Sequence, residues 1–130
     1  MYKILGIINV ALIIVITSPY WLRRLGQRFF PKRKIASTKL IKVLRAIHKP
    51  FGICLLLITL MHGYLALGSL RLHTGTLVGI MVLATVVLGL LFYRKKKAVF
   101  LKWHKRAALL MVLLTLLHLF VPNAIYHLFT

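Results

Sequence analysis

Four apolar runs, each close to the thickness of a bilayer, dominate this sequence and constrain what it can fold into. A helix needs about 20 residues to cross the ~30 Å hydrocarbon core of a membrane. Lipid offers no partner to free backbone N–H and C=O groups, so each run is expected to be helical throughout. The helices are predicted at about residues 4–22, 38–70, 72–93 and 99–121, with the lead-in of the second, before about Phe51, more polar than the rest. The fold class is therefore all-α, an integral membrane four-helix bundle, read as a single transmembrane domain over residues 1–130.

The connections between the runs are strongly basic. The chain has 19 Lys plus Arg and no Asp or Glu. In a soluble protein this balance would point to nucleic acid. Here the cations fill the gaps between spans, where they serve as topology signals and lipid headgroup contacts, so membrane lipid is the expected partner and nucleic acid is not. Ten of them lie from Arg23 to Lys49 and seven from Arg94 to Arg106, with only Lys3 and Arg71 elsewhere. Positive residues stay on the cytoplasmic side, which predicts a multi-pass protein of the cell membrane with both termini extracytoplasmic. Tyr20, Trp21, Phe92, Tyr93 and Trp103 fall at the same inner interface.

The first run resembles a signal peptide in length only: Lys3 alone precedes it, Arg23, Arg24 and Arg28 follow it, and a small-residue cleavage motif is lacking. It is read as a retained helix. The connection from Arg23 to Ser37 mixes Leu25, Phe29 and Phe30 with cations, so it is expected to lie along the inner leaflet, with Pro31 breaking any helix.

Missing carboxylates exclude Asp/Glu general acid–base chemistry, carboxylate proton relays and carboxylate metal ligands. A Gly-rich phosphate loop followed by Lys is absent. Cys54 is the single cysteine, so neither an internal disulfide nor a C-x-x-C-H haem attachment site exists. It reads as a small packing residue.

The chemistry that remains lies in the histidines. His48 and His62 are fourteen residues apart on the second helix, and His104 and His118 are fourteen apart on the fourth. Four turns take about 14.4 residues, so each pair shares one face, its members ~21 Å apart along the axis. The second and fourth helices run in the same direction, which puts His48 level with His104 and His62 level with His118. Two neutral imidazoles facing each other across a bundle are what a bis-histidine haem requires. A lone histidine in a membrane helix is often hydrogen-bonding glue between helices. Four that are paired in depth and repeated in context are better explained as ligands.

The context repeats as well. His48-Lys49-Pro50-Phe51-Gly52 corresponds to His104-Lys105-Arg106-Ala107-Ala108, and Leu57 to His62 corresponds to Leu113 to His118. Gly52 and Ala108 each follow a histidine by four residues and would leave room for a porphyrin ring. Thr59 and Thr115 each precede a histidine by three, and their hydroxyls are expected to orient the imidazoles. Haem propionates need cations: Arg45, Lys49, Lys105 and Arg106 are candidates at the inner face, and Arg71, with Tyr64, His73 and Tyr126 as hydrogen-bond donors, at the outer. His73 and His127 read as interfacial, and Gly75 with Gly79 as a small-xxx-small packing pair.

Two helices that each carry His-x13-His resemble the haem helices of the ferric reductase and NADPH-oxidase transmembrane cytochrome b family, and are similar to membrane cytochromes b more widely. Ile47-His48-Lys49-Pro50-Phe51-Gly52 and Trp103-His104-Lys105-Arg106 carry the resemblance, which covers about Leu44 to Leu119. It implies two haem b groups, axially ligated by the pairs His48/His104 and His62/His118, and electron transfer across the bilayer. Four spans are read here where that family typically has six, and these residues include no flavin or nicotinamide domain.

The expected function is thus transmembrane electron transfer by a di-haem b-type cytochrome to an extracytoplasmic acceptor. The alternative is a haem-carrying, quinone-interacting membrane-anchor subunit of a larger oxidoreductase. Redox partner proteins or quinone are the expected partners, an oligomer is compatible with either reading, and enzymatic activity of its own stays open between ferric-reductase-like and quinol-linked chemistry. A third class, a helical scaffold or His-lined metal transporter, is disfavoured by the lack of carboxylates and of Cys/Met clusters.

Overall fold

A computed structural model of the chain describes residues 1–31, 38–68 and 73–122. Four helices make up nearly all of them: α1 (Tyr2–Phe29), α2 (Lys39–Leu67), α3 (Thr74–Lys95) and α4 (Ala98–Phe120), with no strand among the described residues. All four are long and apolar enough to cross a membrane. The chain is an all-α four-helix bundle of a multi-pass membrane protein, as the apolar runs predict.

The helices differ in length in a way that hydropathy alone does not show. α3 and α4 have 22 and 23 residues, or roughly 33–35 Å at 1.5 Å per residue, which matches the hydrocarbon core. α1 and α2 have 28 and 29 residues, or roughly 42–44 Å, enough to reach through the headgroups as well. α1 thus continues through Arg23–Phe29, a stretch expected to be a surface connection. Leu, Arg and Gln are good helix formers, and once past the core the guanidinium groups are solvated without leaving the helix. The Arg24 guanidinium reaches back one turn to donate to the Tyr20 hydroxyl at 3.2 Å. The helix ends just before Pro31, as predicted, and residues 32–37 lie outside the described residues.

Two prolines sit inside helices, Pro19 in α1 and Pro50 in α2. A proline has no N–H, so the carbonyl four residues earlier loses its helical partner. At Pro19 that carbonyl belongs to Val15, and the Ser18 hydroxyl donates to it at 2.6 Å. This is how a proline is accommodated where lipid supplies no water.

Packing is pairwise. α1 lies against α2 and α3 against α4, α2 also meets α3, and α2 and α4 have little direct contact. The core is a thin layer of Ile13, Ile16, Leu55, Val78, Val82 and Met111. Leu55 and Met111, each 2% exposed, stand seven residues from both histidines of their helix. Two turns bring them back to the histidine face, so an apolar plug fills the bundle midway between the two histidine levels.

Candidate haem-binding histidine tiers

Four histidines point into the bundle half-buried, and each engages a neighbouring helix through the same ring nitrogen. His48 Nδ1 donates to the Ile16 carbonyl at 2.9 Å, His62 Nδ1 to the Tyr2 carbonyl at 2.8 Å, and His104 Nδ1 to the Thr85 carbonyl at 2.8 Å. A carbonyl only accepts, so these nitrogens carry the proton. His118 Nδ1 lies 2.8 Å from the Thr74 hydroxyl. That hydroxyl has already spent its one proton on the Pro122 carbonyl at 2.6 Å, so here too Nδ1 is the donor. All four rings are therefore the same tautomer, with a lone pair on Nε2. Fixing Nδ1 on a carbonyl or hydroxyl is how proteins orient a metal-bound imidazole and raise its basicity.

His73 is arranged the opposite way. It is the N-cap of α3, and its Nδ1 accepts from the Gly75 amide at 3.5 Å. Its ring stands 5.9 Å from that of His118. His127 and Tyr126 lie outside the described residues.

A helical carbonyl is normally shielded by the side chain one turn later. At Tyr2 and Thr85 that later residue is Gly6 and Gly89. A Cβ at Gly6 would meet His62 Cε1 at 3.1 Å, and one at Gly89 would meet His104 Cε1 and Nδ1 at 3.3 Å. At Gly75 it would meet His118 Cε1 at 3.2 Å. Three imidazoles thus rest on bare backbone of the adjacent helix. Gly75 and Gly89 are fourteen residues apart, repeating on α3 the spacing of the histidines on α4. That period was available in the sequence, whereas the pairing of Gly75 with Gly79 drew attention to ordinary helix packing. A Cβ at Gly79 would meet the Thr59 methyl of α2 at 3.8 Å, an ordinary packing contact.

The structure brings the inner pair together. The rings of His48 and His104 have centroids 6.0 Å apart and an interplanar angle of 74°. Two imidazoles on one metal ion, each bonded at ~2.0–2.1 Å, have centroids about 6 Å apart. The space at Gly52 is open, since a Cβ there would meet nothing within 4 Å. Ala108 is half-buried and its neighbour Ala107 buried. Common tautomer, inner spacing, weak α2–α4 contact and open space at Gly52 all fit a flat group ligated from both faces. His62 and His118 are at the other level but make no ring contact with each other among the described residues.

One expectation is revised. Thr115 does not orient His118: its hydroxyl donates to the Met111 carbonyl at 2.8 Å, the usual recourse of a helical Thr in lipid, and Thr74 takes the imidazole instead. Thr59 turns its methyl to α3. Lys49 and Arg106 are placed on aromatic rings, with Lys49 Nζ 3.8 Å from the Tyr93 centroid and Arg106 Cζ 5.1 Å from that of Trp103. Arg71 lies outside the described residues. Among them no group of three His, Cys, Asp or Glu residues is placed to hold a bare metal ion.

No protein-family profile, characterised protein or solved structure matches this chain.

Proposed function

We propose that this protein is a transmembrane electron-transfer cytochrome that holds two haem b groups between α2 and α4. His48 and His104 ligate the inner group, His62 and His118 the outer, and electrons pass through them to an extracytoplasmic acceptor, as in the ferric reductase-like cytochromes b. The observation that carries this reading is the shared tautomer of the four histidines, set against the opposite one of His73. Each bound haem would supply a reversible one-electron centre.

The residues divide the remaining work. The Tyr2, Ile16 and Thr85 carbonyls and the Thr74 hydroxyl hold the imidazoles in place and keep Nε2 unprotonated. Leu55 and Met111 exclude water between the levels. Arg45 and Lys105 are the cations left for propionates at the inner level. The division of 17 Lys and Arg against two supports an orientation with both termini outside.

The test is haem stoichiometry. Protein purified from haem-supplemented cells should give a reduced b-type spectrum and two haems per chain by pyridine haemochromogen assay. One haem or none in folded wild-type protein overturns the proposal.

A further inference from the structure

A chain without a single Asp or Glu must balance its cations with something else. Among the described residues the negative poles left to them include carbonyls, hydroxyls and aromatic faces. Lys49, Lys95, Lys96 and Arg106 all lie over aromatic rings at the basic end of the bundle. One of these rings is shared. Lys49 Nζ from α2 stands 3.8 Å from the Tyr93 centroid, and Lys96 Nζ from the α3–α4 turn stands 4.4 Å from it. The two ammonium groups thus lie within about 8 Å of each other, one screening length in physiological salt, and they repel.

The backbone keeps this arrangement at a cost. Lys96 is the one non-glycine residue with positive φ among the described residues, at φ 53. It ends α3 by donating its amide to the Phe92 carbonyl. Glycine fills such a position without strain, whereas a side chain there is strained. The next residue, Lys97, is the N-cap of α4 and makes no side-chain cap, and no acidic residue lies in that first turn. The positive end of a 23-residue helix thus begins directly after Lys96. Tyr93, Phe100 and Trp103 set this cluster at headgroup depth.

We propose that Lys49, Lys96, Tyr93 and the N-terminus of α4 form a specific site for the phosphodiester headgroup of an anionic membrane lipid. The lysines supply charge-assisted hydrogen bonds to the phosphate oxygens, the Tyr93 ring holds both side chains in place, and the phosphate relieves their repulsion. The bound lipid ties α2 to the α3–α4 turn. The site is independent of the histidine tiers.

The experiment is lipid titration of the full-length protein in detergent, read by native mass spectrometry with dioleoyl-phosphatidylglycerol or dioleoyl-phosphatidylcholine. Phosphatidylglycerol should be retained at one molecule per chain and phosphatidylcholine should not. Lys96→Gly removes the charge while relaxing the turn, so the fold is kept; retention should weaken about fivefold, and about thirtyfold in Lys49→Gln/Lys96→Gly. Lys39→Gln/Lys42→Gln makes the same change in charge on the same end of the bundle and should leave retention within about twofold, since diffuse attraction alone is not specific. Equal loss in both double variants overturns the proposal, as does equal retention of the two lipids. Lys96→Gly protein that keeps its phosphatidylglycerol but loses haem also overturns it, because the anion at the site is then a propionate.

Discussion

The inner histidines are anchored on the middles of neighbouring helices, the outer ones on their ends. His48 rests on the Ile16 carbonyl and His104 on that of Thr85, both well inside α1 and α3. His62 rests on Tyr2, the first residue of α1, and His118 on Thr74, the first residue of α3. Helix ends open more readily than helix middles. The His48 and His104 rings already stand with centroids 6.0 Å apart, while His118 has His73 as its ring neighbour instead of His62. On the proposed function, the inner site is preorganised and the outer one is completed as its haem binds. The outer haem is then the more weakly held.

The sharpest way to break this contrast is to remove ligands. His62→Ala, His118→Ala and their combination should each leave one haem per chain, with the inner spectrum intact. His48→Ala or His104→Ala should remove the other haem. Haem content and low-temperature spectra would be compared on protein shown to be folded by gel filtration and circular dichroism. A folded His62→Ala/His118→Ala protein that holds no haem would show that the tiers are not independent.

Next in size is the backbone on which the rings rest. Gly75→Val should weaken the outer haem and Gly89→Val the inner one, each on the order of tenfold or more, because the added side chain meets an imidazole already within 3.3 Å of the first new carbon. Gly63→Val is the control, since a Cβ there meets nothing within 4 Å. Haem dissociation to apomyoglobin would measure all three. Equal effects at positions 63 and 75 would remove the case for a glycine cradle.

A smaller effect is expected at Thr74. Thr74→Val deprives His118 Nδ1 of its acceptor, so the ligand becomes less basic and the ferric state less favoured. The outer midpoint should rise, on the order of 60 mV for a tenfold change in the one-electron equilibrium, with the inner midpoint unmoved. Thr115→Val should move neither, since its hydroxyl is committed to Met111. A redox titration in which positions 74 and 115 behave alike would reverse that assignment.

The smallest effect concerns the layer between the tiers. Asn9, seven residues from both Tyr2 and Ile16, is buried with its Oδ1 unpartnered. Asn9→Leu should raise stability by about 1 kcal/mol, the cost of an orphaned acceptor, and keep both haems. Thermal unfolding in detergent measures this, and clear destabilisation would mean that the amide has a partner when the protein is loaded.

The sequence is most transparent where one force acts alone. Apolar runs report the hydrocarbon core, so the spans were legible, but they are blind to helix beyond it, as Arg23–Phe29 shows. The fourteen-residue histidine spacing is simple helix geometry and could be read directly. The partners of those histidines could not, because three of the four are backbone carbonyls and every residue has one. Thr115 stands at persuasive spacing, yet its helical hydroxyl bonds a carbonyl of its own helix instead. Gly75 and Gly89 carried a usable signal in a period longer than those normally searched.

The α3–α4 hairpin has a consequence for how such a chain can change over generations. Gly89 and His104 stand equally far along the chain from the junction of Lys96 and Lys97, and so do Gly75 and His118. One turn therefore sets the alignment of both tiers. Losing a single residue there would slide α4 by about 1.5 Å and rotate it by roughly 100° relative to α3, moving both histidines off both glycines at once. Substitutions at positions 94, 95 and 97 leave that alignment intact and changes of length do not, so descendants of this sequence should vary in those letters long before they vary in the number of residues in the turn.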